Sequence, residues 1–236
     1  MELKNLKVKI LGIVGTPIKN GNCRYQLEEA LQLAETSGKA ITEIAHLRDY
    51  ELKFCIGCDK CMRRVHKIQA QAGHDVTPVP IEGYNCSIDD GMDELHQKML
   101  DADAIILMAP VYIASIPGQV KTFIDRCRTF VHDFRLQDKV AAAMTVGFYR
   151  NAGQDTALEL MRSSLSALGL NVVSYGSASV STREGLGIPI RDTRFAVKED
   201  LAGNVMMHIA VKKLLRAALI MKAGKLALEE NGYEIR

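Results

Sequence analysis

Apolar runs alternate with helical segments along the first 175 residues, and this alternation restricts the fold more than any other feature. Runs typical of buried strands occupy residues 7–15, 40–47, 104–109, 139–146 and 170–175. Segments with apolar residues at helical spacing occupy residues 23–35, 89–101, 117–130 and 153–168. Strands separated by helices pair through right-handed crossovers, so the sequence predicts an α/β fold with a doubly wound, five-stranded parallel sheet.

Composition excludes several classes of protein. The chain has 236 residues, of which 47% are hydrophobic and 25% charged, as in an ordinary globular domain with additions. The formal net charge of +2 gives no basic field that would favour nucleic acid. The first residues lack the apolar core and cleavage site of a signal peptide, and no apolar stretch of about 18 residues occurs. We therefore expect a cytoplasmic protein without a membrane partner, whose cysteines stay reduced.

Three cysteines at two-residue gaps, Cys55, Cys58 and Cys61, follow the second predicted strand. They are three of the six cysteines in the chain, and such a run can wrap a compact metal centre as the ligand runs of iron–sulfur proteins do. Structural zinc and a site without metal are the alternatives. Residues 62–84 are polar and contain two prolines and two glycines, which predicts an inserted loop rather than a core element.

Ligands of open α/β sheets bind beyond the carboxyl ends of the strands, where three loops are candidates. The first loop, residues 15–23, opens a helix and can offer backbone N–H groups to a phosphate, with Thr16 and Asn22 as further donors. The alternative is a turn in which Asn22 caps the helix. The loop matches neither the dinucleotide fingerprint nor the P-loop pattern. Cys23 stands where a thiol pKa tends to fall, but no suitably spaced arginine follows that would support a nucleophile.

The other two loops carry aromatic residues. Residues 109–117 contain Tyr112 and two prolines, which suits the edge of a flat heteroaromatic ring. Residues 145–154 place Phe148 and Tyr149 between Gly147 and Gly153, so these rings can cover a ligand or pack on the core. Three such loops at one edge of the sheet favour a ligand site there.

The last part of the chain follows a different pattern. Residues 179–200 are rich in Gly, Ser, Thr and charge, and residues 206–228 have helical periodicity. We expect a sheet domain over residues 1–177, with the cysteine motif and insertion at 55–88, and a helical extension over residues 178–236. The extension packs on its own sheet or on a neighbouring subunit. An irregular stretch of about twenty residues is uncommon within a compact domain, which favours the neighbouring subunit.

Several motifs occur together and in a characteristic order. They are Gly15-Thr-Pro, Gly21-Asn22, Cys55-Ile-Gly-Cys58, Cys86-Ser-Ile-Asp-Asp90, Ala109-Pro-Val-Tyr112 and Gly118-Gln-Val-Lys-Thr-Phe-Ile-Asp125-Arg126. Over residues 7–175 the chain resembles the flavodoxin-like NAD(P)H-dependent FMN reductases, and among them the iron–sulfur flavoproteins. The resemblance implies a flavodoxin-like fold that binds FMN. It places the phosphate at Thr16, Ile18, Lys19, Asn22 and Cys23, and the flavin ring at Pro110, Val111, Tyr112, Ile113, Gly147, Phe148, Tyr149 and Gly153.

Two positions of the first loop depart from the pattern of these reductases. Ile18 stands where they often have arginine, which weakens the charge pairing of the phosphate, and Lys19 could compensate. Cys23 replaces a common threonine, so one hydroxyl donor is lost.

The resemblance also implies a [4Fe–4S] cluster, which takes four thiolates. Cys86 has the sequence context of the fourth ligand, although the insertion separates it from Cys55, Cys58 and Cys61. Lengthening a loop adds only about 0.6 kcal/mol of closure cost per doubling, so the insertion does not exclude this ligand set.

The function implied is that of an FMN-dependent oxidoreductase and homo-oligomer, dimer or tetramer, which receives electrons from NAD(P)H or a ferredoxin-type donor. No side chain stands out as a catalytic acid or base, because the redox chemistry is the cofactor's. The alternatives are a flavodoxin-like electron carrier without enzymatic activity and a metal-stabilised binding module without a redox role.

Overall fold

The structure, a computed structural model, describes residues 5–72, 86–131, 135–189 and 195–233. Within these ranges one parallel sheet has the strand order β2-β1-β3-β4-β5, and β6 also pairs with β4. The strands are β1 (Val8–Val14), β2 (Ala40–His46), β3 (Ala104–Pro110), β4 (Val140–Gly147), β5 (Asn171–Val172) and β6 (Ser177–Val180). All seven residues of β3 and all eight of β4 are buried, as in central strands covered on both faces. The predicted flavodoxin-like sheet is confirmed.

The fifth predicted strand, residues 170–175, is interrupted in the structure. Ala141 of β4 pairs with Val172 of β5, whereas Met144 pairs with Ser177 of β6. Between these pairs β4 advances by three residues and the neighbouring chain by five, so the intervening segment bulges out of the ladder. Gly176 makes the bend with φ +111°, a conformation that favours glycine. The pattern of apolar residues showed the strand but not the break.

Helices cover both faces of the sheet. They are α1 (Asn22–Glu35), α2 (Lys60–Ala72), α3 (Met92–Asp101), α4 (Gly118–Arg126), α5 (Gln154–Ala167) and α6 (Leu201–Glu230). Helices α1 and α6 share one apolar cluster with residues of β1, β3 and β4, and helices α3, α4 and α5 share a second cluster on the opposite face. The helix predicted over residues 117–130 ends at Arg126 and continues as a 3-10 turn over Cys127–Phe130.

The C-terminal extension packs on its own sheet. Helix α6 begins at Leu201, earlier than predicted, because the Asp200 carboxylate accepts a hydrogen bond of 3.1 Å from the Gly203 N–H. Its buried side chains join the cluster of α1, and they include Met207, Val211 and Leu214. Thus the helix covers the sheet of the same chain, which is the alternative that the sequence disfavoured.

Part of the segment predicted as an inserted loop is a helix. Helix α2 includes Cys61 in its first turn, and the Met62 side chain is only 2% exposed. The prediction that residues 62–84 contain no core element is therefore wrong at its start, because the buried Met62 side chain anchors helix α2 to the core. Residues 73–85, the rest of this segment, lie outside the described residues. No helix in the described part of the chain is long and apolar enough to cross a membrane.

Candidate functional site

The loop after β1 lies at the centre of the carboxyl edge of the sheet and is held in shape by its own backbone. The Gly15 N–H donates to the Met108 carbonyl oxygen of β3 at 2.8 Å. A Cβ at Gly15 would collide with the Val120 side chain of α4, so only glycine fits there. Thr16 is only 2% exposed, and its hydroxyl accepts a hydrogen bond of 3.2 Å from the Ile18 N–H. The loop thus presents a fixed concave backbone ahead of helix α1.

The other residues predicted at the phosphate on this loop have different environments in the structure. Ile18 is 58% exposed, and Lys19 is exposed as well. Asn22 does not cap α1. Gly21 is the N-cap residue, and the first turn of α1 has no side-chain capping hydrogen bond. Instead, the Asn22 side-chain oxygen accepts a 3.1 Å hydrogen bond from the Val197 N–H of the extension. Burial raises the pKa of the Cys23 thiol to about 12, so this residue is not a thiolate nucleophile.

Two cationic side chains beside this loop were not found from the sequence. Arg48, which follows β2, donates from Nη1 to the Pro17 carbonyl oxygen at 3.1 Å. Arg24 of α1 lies beside Asn20, with 3.4 Å between its Nη1 and the Asn20 side-chain oxygen, and pairs with Glu28 at 2.7 Å. Arg48 thus brings positive charge next to Pro17 of this loop. The only sequence signal for it was its position just beyond a predicted strand, which places a residue at the ligand edge.

The loop after β3 contains a tight turn at Tyr112–Ser115. The N–H of Tyr112 donates to the Ser115 carbonyl oxygen at 2.9 Å, and the reverse bond measures 3.1 Å. The two central residues, Ile113 and Ala114, have φ of +47° and +55°. Positive φ is strongly disfavoured for a β-branched residue, and Ile113 is 98% exposed. A strained backbone with its apolar side chain in solvent is typical of a ligand-binding turn.

The loop after β4 packs directly against that turn. Gly153 has φ +97°, and a Cβ there would collide with the backbone of Ala114. Gly147 is less restricted, since a Cβ there would collide with the end of the Gln154 side chain and not with backbone. Phe148 and Tyr149 are about half exposed, at 46% and 52%, and meet edge to face at 5.0 Å between ring centroids. Both rings therefore border the surface and do not belong to the core.

The same loop is tied to the C-terminal extension. The Arg150 guanidinium makes two hydrogen bonds with the Asp200 carboxylate, of 2.7 and 3.1 Å. The Asp200 side chain is 2% exposed and also accepts from Val180 N–H at 2.8 Å, besides capping α6. One buried carboxylate thus joins the third loop, the end of the sheet and helix α6. Sequence reasoning missed this link because 50 residues separate the partners.

The four predicted cysteine ligands lie in two neighbouring segments. Cys55 is exposed, and Cys58, Cys61 and Cys86 are partly exposed. The Cys58 sulfur lies 3.0 Å from the Ser87 hydroxyl, next to Cys86. That hydroxyl and the Lys60 N–H lower the pKa of the Cys58 thiol. Burial raises the pKa of Cys61, the nearby Arg128 opposes this, and the charges of Cys86 and Cys55 raise it further. Cys61 therefore lies close enough to Cys55 in its own segment and to Cys86 in the other for their charges to affect its thiol.

A buried ion pair holds these two segments together. The Arg126 guanidinium makes hydrogen bonds of 2.6 and 2.9 Å with the two oxygens of Asp90, and both side chains are at most 2% exposed. Both also bind the backbone of Lys53: Arg126 donates to its carbonyl oxygen at 2.7 Å, and Asp90 accepts from its N–H at 2.9 Å. Burial alone would raise the pKa of Asp90, but the bonds from Arg126, Lys53 and Met92 lower it overall.

The four thiols are suitable donors for a metal centre, but they are not arranged as a complete set of ligands. Within the described residues, no three Cys, His, Asp or Glu side chains stand close enough together to hold a metal ion. The charges of Cys86 and Cys55 nevertheless act on the pKa of the Cys61 thiol, and Arg128, 2.5 Å from Asp59, adds positive charge beside it. Four cysteines of this kind match the ligand number of a [4Fe–4S] cluster.

Comparison with known sequences assigns the chain to a family. A profile of the NADPH-dependent FMN reductases matches residues 8–185. An iron–sulfur flavoprotein of Methanocaldococcus jannaschii is 34% identical over 185 residues, which cover 75% of this chain and 86% of the relative. Another, of Archaeoglobus fulgidus, is 31% identical over 207 residues, or 86% of this chain and 94% of the relative. The chain belongs to the NADPH-dependent FMN reductase family and is a flavin-dependent oxidoreductase, so the resemblance predicted from its motifs is confirmed.

Comparison with solved structures supports the fold. The crystal structure of RosB with bound 8-demethyl-8-formylriboflavin-5'-phosphate superimposes with a TM-score of 0.66 at 14% identity, covering 97% of this chain and 89% of RosB. A flavodoxin-like WrbA-like protein from Agrobacterium tumefaciens gives a TM-score of 0.50 at 14% identity, covering 92% of this chain and 99% of that protein. At these identities the likeness shows the shared architecture and nothing finer.

Proposed function

We propose that the protein passes electrons between an NAD(P)H or ferredoxin-type donor and an acceptor, through FMN and a [4Fe–4S] cluster held by Cys55, Cys58, Cys61 and Cys86. Family membership supports FMN, and similarity to iron–sulfur flavoproteins supports an iron–sulfur centre. The observation that carries the cluster assignment is the Asp90–Arg126 pair on Lys53. It joins the chain two residues before Cys55 to the chain four residues after Cys86, so the insertion between the ligands is bridged at its base.

The FMN phosphate would lie on the loop after β1. Backbone N–H groups at the start of α1 and the Thr16 hydroxyl serve as donors, and Lys19 supplies charge in place of the arginine that Ile18 replaces. The Asn22 side-chain oxygen is already bonded to Val197, so the Asn22 amide nitrogen is the part of that side chain left for the phosphate.

The flavin ring would rest on the platform that the second and third loops form together. Pro110, Val111, Tyr112 and Ile113 line one side of this platform, and Gly147, Phe148, Tyr149 and Gly153 line the other. The contact between Ala114 and Gly153 fixes the two loops relative to each other, which supports one rigid ring site. The protein's part is to bind and orient the cofactor; when bound, FMN supplies the redox chemistry.

An anaerobic preparation tests this proposal directly. We expect a flavin spectrum, about four iron and four sulfide per chain as for one cubane cluster, and bleaching on addition of NADPH, NADH or reduced ferredoxin. If the protein contains zinc and no sulfide, the cysteines hold a structural metal instead of a cluster, and the flavin assignment is unaffected. A protein that neither contains flavin nor binds added FMN would contradict the proposal as a whole.

We also propose that the protein is a homo-oligomer. Leu201, Val205 and Ile209 follow one another at four-residue spacing on α6, and they are 77%, 50% and 49% exposed. Such an apolar row on one face of a helix is suited to burial against a second copy. Sedimentation of the wild type against a Val205→Glu variant tests it: a monomer in both cases contradicts the proposal.

A further inference from the structure

A cavity of about 570 Å³ lies between the segment that follows β2 and the start of α4. Its walls include Arg48, Tyr50 and Phe54 on one side, and Tyr112, Gly118 and Gln119 on the other. In the sheet, β2 and β4 lie on opposite sides of β1 and β3. The cavity therefore lies on the β2 side of the Tyr112 turn, whereas the platform proposed for the flavin ring lies on the β4 side, where Gly153 meets Ala114.

The walls of the cavity are mainly apolar and aromatic. Phe54 is 76% exposed and Tyr112 41% exposed, so each has a free ring face, and Tyr50 lies in the wall beside them. Aromatic side chains pack best against other flat rings, in stacked or edge-to-face contact. A cavity of this size with a few polar groups is typical of a small-molecule site.

Two polar groups define what such a ligand must carry. The Gln119 side-chain oxygen is buried and accepts no hydrogen bond from any described residue. A buried acceptor without a donor is costly, so a ligand N–H or O–H at this point would be favoured. Arg48 uses one nitrogen on Pro17 and its Nε lies 3.8 Å from the exposed Asp49 carboxylate, and the remaining N–H groups of its planar fork suit a ligand carboxylate.

We propose that this cavity binds a flat aromatic molecule with a hydrogen-bond donor at one end and an acidic group at the other, such as a hydroxyaryl carboxylate. The donor meets Gln119, the acid meets Arg48, and the rings of Tyr50, Phe54 and Tyr112 contact the aromatic body. The inference goes beyond the proposed function and does not rest on it, because among these walls only Tyr112 is also proposed to contact the flavin. A ligand here would lie between the phosphate loop at Pro17 and the cysteine run that begins after Phe54.

Calorimetric titration of the full-length protein, as purified, with 6-hydroxy-2-naphthoate tests the proposal. We expect saturable binding at one site, and weaker binding of 2-naphthol, which lacks the acid, and of 6-methoxy-2-naphthoate, which lacks the donor. Loss of one buried hydrogen bond should weaken binding about tenfold. The Gln119→Leu variant should remove the preference for the hydroxyl over the methoxy probe and leave the preference for the acid.

A glycine pair provides the steric test. A Cβ at Gly118 would meet no atom within 4 Å, and Gly118 lines the cavity; Gly224 of α6 is equally open but lies elsewhere. Gly118→Phe should weaken naphthoate binding about tenfold or more, whereas Gly224→Phe should not change it. The FMN affinity of both variants should equal that of the wild type.

Three results would overturn the inference. They are the absence of saturable binding by the wild type, unchanged binding in Gly118→Phe, and loss of FMN together with the probe in Gly118→Phe. The third would make the cavity part of the flavin site. Failure of the wild type to bind FMN, by contrast, would affect only the proposed function, since the titration does not require the cofactor.

Discussion

Arg126 binds both oxygens of Asp90 and, through the same nitrogen that makes the 2.6 Å bond, the carbonyl oxygen of Lys53. The pair is buried, but its purpose is local: it closes the base of the loop that carries the cysteines. Buried ion pairs seldom stabilise a fold more than apolar residues would, so their presence is better explained by the geometry they impose. Here that geometry brings together two segments that the sequence separates.

The first prediction concerns this pair. Asp90→Asn leaves the Arg126 charge buried without a counterion, which should lower the free energy of unfolding by about 3–5 kcal/mol. Asp125→Asn, next to Arg126 on α4, is the matched control, since it breaks an exposed pair with Lys121 and should cost less than about 1 kcal/mol. Denaturant unfolding measures both values.

The same two variants separate a positioning role from a general effect on stability. Under conditions where Asp90→Asn stays folded, its iron content per chain should fall while its flavin content is kept. Full iron content in folded Asp90→Asn would show that the pair does not position the cysteines.

The second prediction tests Cys86 as the fourth ligand. Cys86→Ser should lose the iron–sulfur absorbance and at least part of the iron, because a cubane cluster normally takes four thiolates. Cys127→Ala is the control: this thiol is buried in the core beside Met99, so iron should be retained. If both variants keep the same iron and sulfide content, Cys86 is not a ligand.

The third prediction concerns the contact between the second and third loops. Gly153→Ala introduces a Cβ against the Ala114 backbone at φ +97°, and this strain should cost about 1–3 kcal/mol. It should also weaken FMN binding, because the platform for the ring is disturbed. Gly224→Ala should have the opposite effect on stability. It removes a glycine from an open helical position and should stabilise α6 by about 1 kcal/mol. Thermal unfolding and flavin titration distinguish the two; equal FMN affinity in Gly153→Ala would remove this glycine from the flavin site.

The sequence predicts the sheet well because its central strands are continuous apolar runs, and burial on both faces leaves no other place for them. It fails at three points that depend on single contacts. Helix α2 is polar, and the buried Met62 side chain is its anchor. The break before Gly176 depends on a backbone conformation and not on hydrophobicity. Helix α6 lies on its own sheet, and a pattern of apolar residues does not state which sheet they cover.

The candidate site shows the same division. Residues in motifs, such as Thr16, Tyr112 and the cysteines, can be found by their spacing. Arg48 and the Arg150–Asp200 pair cannot, because the strand order and long connections bring them to the ligand edge. Their roles follow from tertiary contacts that local periodicity does not encode.

The fourth prediction follows from the link between the third loop and the extension. Asp200→Asn weakens the ion pair with Arg150 while it keeps the shape of the side chain, and loss of the charge on this buried carboxylate should cost about 2 kcal/mol or more. We expect FMN to bind more weakly, with a larger effect on its dissociation rate than on its association rate, because the loop loses its support. Stopped-flow flavin fluorescence measures both rates. An unchanged dissociation rate would show that the extension does not support the flavin loop.

The last prediction concerns pH and His96. This imidazole is 1% exposed and stacks on Phe130, with 3.6 Å between the ring centroids. Burial, assisted by the charge of Arg135, lowers the pKa of His96 from 6.5 to about 3. The unfolded chain therefore binds a proton at this residue between about pH 6.5 and 3, and the folded protein does not.

The sign follows from this difference in proton binding. Stability from His96 is fully present above pH 6.5 and is lost as the pH falls, by up to about 1.4 kcal/mol per pH unit. His96→Phe keeps a flat ring on Phe130 and removes the titration, so its free energy of unfolding should decline less steeply between pH 6.5 and 4 than that of the wild type. Urea unfolding across this range measures the two slopes, and parallel curves would show that His96 accepts its proton in the folded protein as readily as in the unfolded chain.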